Sequence, residues 1–316
     1  MVSAERLAQA AFMYYVQGLS QSEVGERLGL SRSNVSRLLT EARQRRIVRF
    51  QIDYPVRRDL QQEARLIDRF SGTSLREVVV ARPATGDDAR AGLIAAARAG
   101  GDWLDENLQD GQTVGLFWGS TIQTMVDVSH FSRSVDAHFV QMAGEWSTDP
   151  ANSGHDLVRD LANKVGGRYT YFDAPAVADT PAVATSLIKS PQVSRALELA
   201  RTAQTSVLGI GAFDSGTAAA FLTLARATAS ERDEARRKGA VGQICGRFYD
   251  SSGQQLNLAL HRRLVSIDLD ELRHTRNVVA IASGAEKAEA VSSAILGGLV
   301  HTLVADAVLA TTMLAA

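Results

Sequence analysis

A single cysteine, Cys245, stands among 316 residues, so neither an internal disulfide framework nor a multi-cysteine metal site can form. It is expected in a strand, as a small buried hydrophobe. The six histidines are scattered without ligand spacing and predict no structural metal; nothing in the chain calls for a cofactor. No charge-free apolar run approaches about 20 residues, which argues against a membrane-spanning helix, and Glu5 and Arg6 interrupt any secretory apolar region near the start. A soluble, cytoplasmic protein with no membrane partner is expected. Lysine is scarce too, with Lys164, Lys189, Lys238 and Lys287 against thirty arginines.

Net charge is also nearly absent, at −1, which alone argues against a nucleic-acid protein. The average hides an asymmetry. From Ser31 to Arg58 eight arginines (32, 37, 43, 45, 46, 49, 57, 58) face only Glu41 and Asp53, a local net of +6, which leaves about −7 for the remainder. A basic head on an acidic body is the electrostatic footprint of a protein that meets phosphate backbone at one end.

Within the head, Ser20 to Thr40 reads SQSEVGERLGLSRSNVSRLLT. Val24, Leu28, Leu30, Val35, Leu38 and Leu39 recur at three- and four-residue steps, as in two amphipathic helices sharing one core. Gly25 and Gly29 fall where two such helices approach and turn. Ser20 and Ser31 are placed to cap the helix starts, and Glu23 completes a capping box with Ser20. The pattern predicts a helix-turn-helix. Arg32, Ser33, Asn34, Ser36 and Arg37 would lie at the outward face of the second helix, where side chains reach base edges in the major groove, with the capping Ser31 also among the DNA-binding residues. Gln21 is expected on phosphate. A plain solvated helix face is the alternative.

IVRFQIDYP, residues 47–55, reads as a strand that closes a first domain at about residue 56. Arg57 to Phe70 then reads as a linker helix with Leu60, Ala64, Ile67 and Phe70 along one side, which either pairs with a second copy or packs on the next domain. From about residue 73 to 316 strands alternate with helices, predicting an α/β domain with a largely parallel sheet. REVVVA, TVGLFWG, HFVQMAG, TSVLGIGAF and NVVAIASG are its apolar runs.

Ligands in such folds lie beyond the carboxyl ends of the strands, and three places there are chemically equipped. At WGST, Gly119, Ser120 and Thr121 offer amides and hydroxyls at a positive helix end, suited to a phosphate; ordinary helix capping is the alternative. At SGAEK, Lys287 supplies a point charge for the same anion, or a solvated helix face. GAVGQICGRFYDSSG, residues 239–253, reads as a glycine-punctuated strand leading to a tight turn. There Gln243 or Asp250 would bond sugar hydroxyls, with an Asx-turn as the alternative role for Asp250.

The blocks YYVQGLSQSEVGERLGLSRSNVSRLLTEARQRRIV, GLFWGST, GAVGQICGRFYD, LRHTRNVVAIASGAEK and ILGGLVHTLVADAVLA, in this order over almost the whole chain, resemble the SorC (SorC/DeoR) family of bacterial sugar-binding transcriptional regulators. The resemblance implies a winged-helix-like helix-turn-helix joined to a larger Rossmann-like α/β effector domain similar to phosphosugar isomerases. It implies homodimers or homotetramers, operator DNA as partner, and a sugar phosphate or related sugar or polyol as effector. Gly119, Ser120 and Thr121 match the phosphate-cradling loop, and Lys287 the phosphate-side lysine. Where many relatives carry an aspartate, this chain has Gln243, which removes the charge and adds donors.

No paired proton-transfer groups stand beside WGST or SGAEK, so a regulator, more specifically a repressor relieved by its effector, is expected over the alternative of an isomerase or deaminase with an attached DNA-binding head.

Overall fold

The computed structural model describes residues 2–48, 56–84, 88–145, 153–213 and 216–315, with 216–218 and 224 in backbone only. The chain divides into two compact units, Met1–Pro55 and Val56–Ala316.

In the first unit α1 (Ala4–Ala11) runs on as a π-helical turn, followed by α2 (Gln21–Leu28) and α3 (Arg32–Gln44). Both predicted caps are present. The Ser20 side chain accepts from the Glu23 amide while Glu23 reaches back to the Ser20 amide, and the Ser31 side chain accepts from the Asn34 amide. Gly25 is a close approach: a β-carbon there would lie 2.5 Å from the Leu30 carbonyl oxygen. Gly29 ends α2 in the left-handed region at φ +64°. Leu7, Ala10, Val24, Val35, Leu38, Leu39 and Ala42 form the core, with Leu28 and Leu30 half-buried against it. Of the strand expected over 47–55, Ile47 and Val48 lie in a bend after α3, and the rest falls outside the described residues.

In the second unit β1 (Arg57–Arg58) leads to α4 (Leu60–Arg69), β2 (Glu77–Arg82) and α5 (Ala89–Asn107). Then come β3 (Thr113–Leu116), α6 (Ser120–Val128), β4 (His138–Gln141), α7 (Gly154–Val165) and β5 (Arg168–Thr170). These are followed by α8 (Pro181–Lys189), α9 (Pro191–Arg201), β6 (Thr205–Gly209), β7 (Gly211–Ala212), α10 (Gly216–Leu224) and α11 (Ala229–Arg237). The chain ends with β8 (Gly242–Ile244), β9 (Arg247–Tyr249), α12 (Leu269–Arg273), β10 (Asn277–Ala282), α13 (Ala288–Leu296), β11 (Thr302–Asp306) and α14 (Ala307–Ala315).

Eight strands form one sheet in the order β1-β2-β11-β10-β6-β3-β4-β5, parallel throughout except for β1. Alternation along the central strands divides two apolar layers. Val78, Val80, Ala280 and Leu303 face one layer with Leu197, Val291 and Leu309, while Val79, Ala81, Ile281 and Val304 face the other with Trp103, Ile122 and Leu161. Burial on both faces is what a parallel sheet covered by helices requires, and it accounts for the continuous apolar runs in the sequence.

Three details depart from the sequence reading. The 239–253 segment is a hairpin of β8 and β9, not one strand. Cys245 is buried, but in the hairpin turn rather than a strand: Cys245 (φ +52°) and Gly246 (φ +76°) are both left-handed, the conformation that two-residue hairpin loops favour. Helix α4 buries Glu63, Leu66 and the following Phe70, leaving Leu60, Ala64 and Ile67 exposed, because the buried Glu63 carboxylate accepts from the Val80 amide at 3.0 Å and is paired with Arg58 at 2.8 Å.

Candidate functional site

The outward face of α3 is polar and free of core contacts. Arg32, Ser33, Asn34, Ser36 and Arg37 are exposed, whereas Val35, Leu38 and Leu39 on the opposite stripe are buried. Ser31 spends its hydroxyl on the cap, at 3.3 Å from the Asn34 amide and 3.0 Å from the Ser33 hydroxyl. Gln21 is half-buried in the first turn of α2. Among the described arginines of the basic head three have side-chain partners: Arg43 bonds the Thr40 hydroxyl, Arg45 bonds Glu41 and the Val2 carbonyl, and Arg58 belongs to the second unit, against Glu63.

The second site is built where three strands of the sheet end side by side. After β3 the chain passes through Trp118 and Gly119 into α6, whose first turn has no side-chain cap; its amides are the positive end of a helix open to an anion. Ser120 is exposed and Thr121 buried. On the far side of β6, β10 ends at Ala282, and a 3₁₀ turn (Ala285–Lys287) enters α13. Gly209, at the end of β6, joins the two: a β-carbon there would lie 3.9 Å from both Thr121 Cβ and the Ile281 carbonyl oxygen.

Lys287 is half-buried, and no hydrogen bond joins its Nζ to another described residue. Burial pushes its ammonium pKa below the ordinary value, opposed by the nearby charges of Glu286 and Asp306. A cation desolvated in this way gains from an anionic partner.

Two carboxylates at this edge were not singled out from the sequence. Asp306, buried at the end of β11, accepts from the Gly284 and Leu309 amides, each at 3.1 Å. Glu145, just past β4, accepts from the Gly154 and His155 amides at 3.1 and 2.8 Å. The only sequence signal for Asp306 was an acid closing the apolar run HTLVAD.

Gln243 stands at the same edge, because β8 pairs with β7 (Gly211 opposite Gln243) directly after β6. It is buried, and its Oε1 accepts from the Gly246 amide at 3.0 Å. That bond fixes the amide orientation, since only the oxygen can accept. The NH2 group is what remains for another partner. Asp250 is separated from the others. Its carboxylate accepts from the amides of Ser252 and Gln254 and the Ser252 hydroxyl, an Asx-turn. The turn packs through Gly253 on Gly297, past the C-terminal end of α13, and Lys287 precedes its other end, about 13 Å of helix away.

The Sugar-bind family of sugar-binding domains matches residues 54–315, and the sigma-70 region 4 family matches residues 7–45. The transcriptional regulator LsrR of Klebsiella pneumoniae is 32% identical over 317 residues, covering 100% of this chain and 94% of that protein. LsrR of Escherichia coli K12 is 30% identical, covering 97% and 93%. The full-length sorbitol operon regulator SorC from Klebsiella pneumoniae superposes with a TM-score of 0.73 at 25% identity, covering 98% of this chain and 99% of that one.

Proposed function

We propose, for a chain that belongs to the SorC family of sugar-responsive transcriptional regulators, that a sugar phosphate bound beyond the ends of β3, β6 and β10 controls its hold on operator DNA. The observation that supports this reading is the uncapped first turn of α6 at Gly119, Ser120 and Thr121, close to the end of β10 across Gly209, with the half-buried Lys287 in the turn that follows β10. One offers amide donors and the other a charge, and neither has a hydrogen-bond partner from a side chain among the described residues. Gln243 presents its NH2 group to the sugar. Where an aspartate would accept from a hydroxyl, this residue donates to a hydroxyl or carbonyl oxygen.

In the head, Arg32, Ser33, Asn34, Ser36 and Arg37 read base edges, while Gln21 and the Ser31 turn meet phosphate. Two heads in a homodimer or higher oligomer would address half-sites spaced by whole turns of the duplex, about 10 bp or a multiple. The exposed Leu60, Ala64 and Ile67 of α4 offer an apolar stripe for a second copy. The effector acts by binding one arrangement of heads more tightly than the other, and release of operator by the loaded protein makes it a cytoplasmic repressor. Catalysis is disfavoured: Asp306 and Glu145 at this edge are each held by backbone amides, and Glu286 is exposed beside Lys287.

A thermal-unfolding panel of sugar phosphates, matching free sugars and polyols, and inorganic phosphate tests the reading. A specific ligand at a hundredfold its Kd adds about 2.7 kcal/mol of stability. Stabilisation by a sugar phosphate, lost in Lys287→Ala, supports it; stabilisation only by an uncharged sugar removes the phosphate role of Gly119, Ser120, Thr121 and Lys287.

A further inference from the structure

On the outer side of β9, away from β8 and Gln243, the segment 254–257 runs back beside the strand, with Gln255 bridged to Tyr249 and the Leu256 amide bonded to the Phe248 carbonyl. Between this segment and the 3₁₀ turn Leu260–Arg263 lies a cleft of about 260 Å³. Arg247, Gln255, Asn257, His261 and Arg262 supply its polar lining, with no carboxylate among them.

Three features of that lining are uncompensated. His261 is 7% exposed, and its Nε2 accepts from the Phe248 amide at 2.9 Å, so the neutral ring carries its proton on Nδ1. That Nδ1 is buried without a hydrogen bond; the Leu256 carbonyl lies toward it but outside bonding geometry. Burial is the main reason the ring stays neutral, its pKa pushed down to about 3.

Arg247 is half-buried and donates only to backbone carbonyls, those of Ile267, His261 and Ser266. The nearby acids are engaged elsewhere. Asp268 and Glu271 cap α12, and Glu271 also pairs with Arg201. Glu234 is paired with Lys238 and accepts from the Ala259 amide. The Arg262 guanidinium has no hydrogen-bond partner among the described residues and is exposed at the rim. Gln255 spends its oxygen on the Leu269 amide at 2.9 Å, leaving its NH2 group.

A buried donor without a hydrogen bond and a largely buried guanidinium with no carboxylate bonded to it, only the more distant charges of Asp268 and Glu271, each cost stability. Together they specify a ligand that accepts hydrogen bonds and carries negative charge. We propose that this cleft is a second binding site, separate from the strand-end crevice, for a small oxyanion held by the Arg247 and Arg262 guanidinium groups and the His261 Nδ1–H. Its size, below the roughly 300–1,000 Å³ of pockets for drug-sized ligands, suits an anion of a few heavy atoms. Phosphate and carboxylate share the chemistry that a guanidinium recognises. The site is joined to the hairpin of Gln243, since His261 holds the Phe248 amide and Phe248 pairs with Gln243 in the β8–β9 register.

The test is titration of the full-length protein with inorganic phosphate and, separately, succinate, against chloride at matched ionic strength, followed by the imidazole ¹⁵N resonances of His261. A saturable shift of the Nδ1–H resonance is expected. Arg262→Ala, a surface change, should raise the half-saturating concentration about tenfold or more, and Lys287→Ala should leave it unchanged. Saturation by phosphate alone, succinate alone or both supports the site and tells the two sources apart. No saturable shift with either anion, or a shift abolished by Lys287→Ala and retained in Arg262→Ala, overturns the proposal. In the second case the anion has gone to the strand-end crevice, an outcome that leaves the reading of that crevice standing.

Discussion

The carboxylate of Asp306 accepts from the amide of Gly284 at 3.1 Å, and the same Oδ1 accepts from the Leu309 amide at 3.1 Å. One oxygen at the end of β11 therefore ties down the loop that carries Lys287 and caps the start of α14. Asp306 thus both holds the loop and adds, beside Glu286, to the negative charge near the lysine.

Separating those two roles gives the first prediction. Asp306→Ala leaves two amides without acceptors, each costing about 1–3 kcal/mol, and should lower the unfolding temperature by several degrees while weakening effector stabilisation. Asp306→Asn keeps an oxygen for both amides and should stay close to wild type in Tm. Thermal unfolding of the two variants side by side checks it, and equal losses would show that the charge, not the hydrogen bonds, holds the loop.

In the head the corresponding constraint is Gly25, where a β-carbon would sit 2.5 Å from the Leu30 carbonyl oxygen, a backbone atom that cannot swing aside. Gly25→Ala should force the two helices apart at a cost of about 1–3 kcal/mol. Operator affinity in a fluorescence-anisotropy titration should fall, while the thermal shift caused by effector in the second unit should persist.

Much of this was legible in the sequence because short-range chemistry fixes it. Ser20, Glu23 and Ser31 cap helices within three residues of themselves, and the apolar stripe of Val24, Val35, Leu38 and Leu39 needs no distant partner to be recognised. The strand-end loops at Gly119 and Lys287 were readable as well, since in a parallel sheet each follows a buried run. What escaped depended on contacts far apart in the chain. Thr302–Asp306 is a central strand, yet it passes straight into α14 with no turn residue between them. Phe248 and His261 are thirteen residues apart, and nothing local announces that an imidazole will bond a strand amide. Asp250 carries the turn chemistry its neighbours suggested, but its distance from Lys287 is set by the length of α13.

At the start of the second unit, Asp59 accepts from Arg82 Nε at 3.0 Å and from the Gln62 amide at 3.1 Å. The Arg82 hydrogen bond is the main reason its carboxyl pKa lies below the ordinary value. A carboxyl with a depressed folded-state pKa contributes stability that is present above its unfolded value, near about 4, and is lost as pH falls through the folded one. The stability gap between wild type and Asp59→Asn should therefore be constant from neutral pH to about 5 and close below about 4. Chemical denaturation at stepped pH measures it, and a gap that widens on acidification would reverse the sign of the argument.

The last prediction separates base reading from phosphate contact on α3. Arg37 is exposed in the second turn of the helix, while Arg43 lies two turns further on and bonds the Thr40 hydroxyl at 3.4 Å. A side chain bonded to a base edge contributes about 1–3 kcal/mol to discrimination, whereas a phosphate contact weakens all sequences alike and lowers the salt slope by about one ion. Arg37→Ala should thus narrow the ratio of operator to random-sequence affinity, and Arg43→Ala should preserve that ratio while flattening the dependence on salt. Affinity measured on both DNAs at three salt concentrations distinguishes the roles. Should Arg37→Ala flatten the salt dependence and spare the ratio, the reading face lies nearer the start of α3, at Arg32, Ser33 and Asn34.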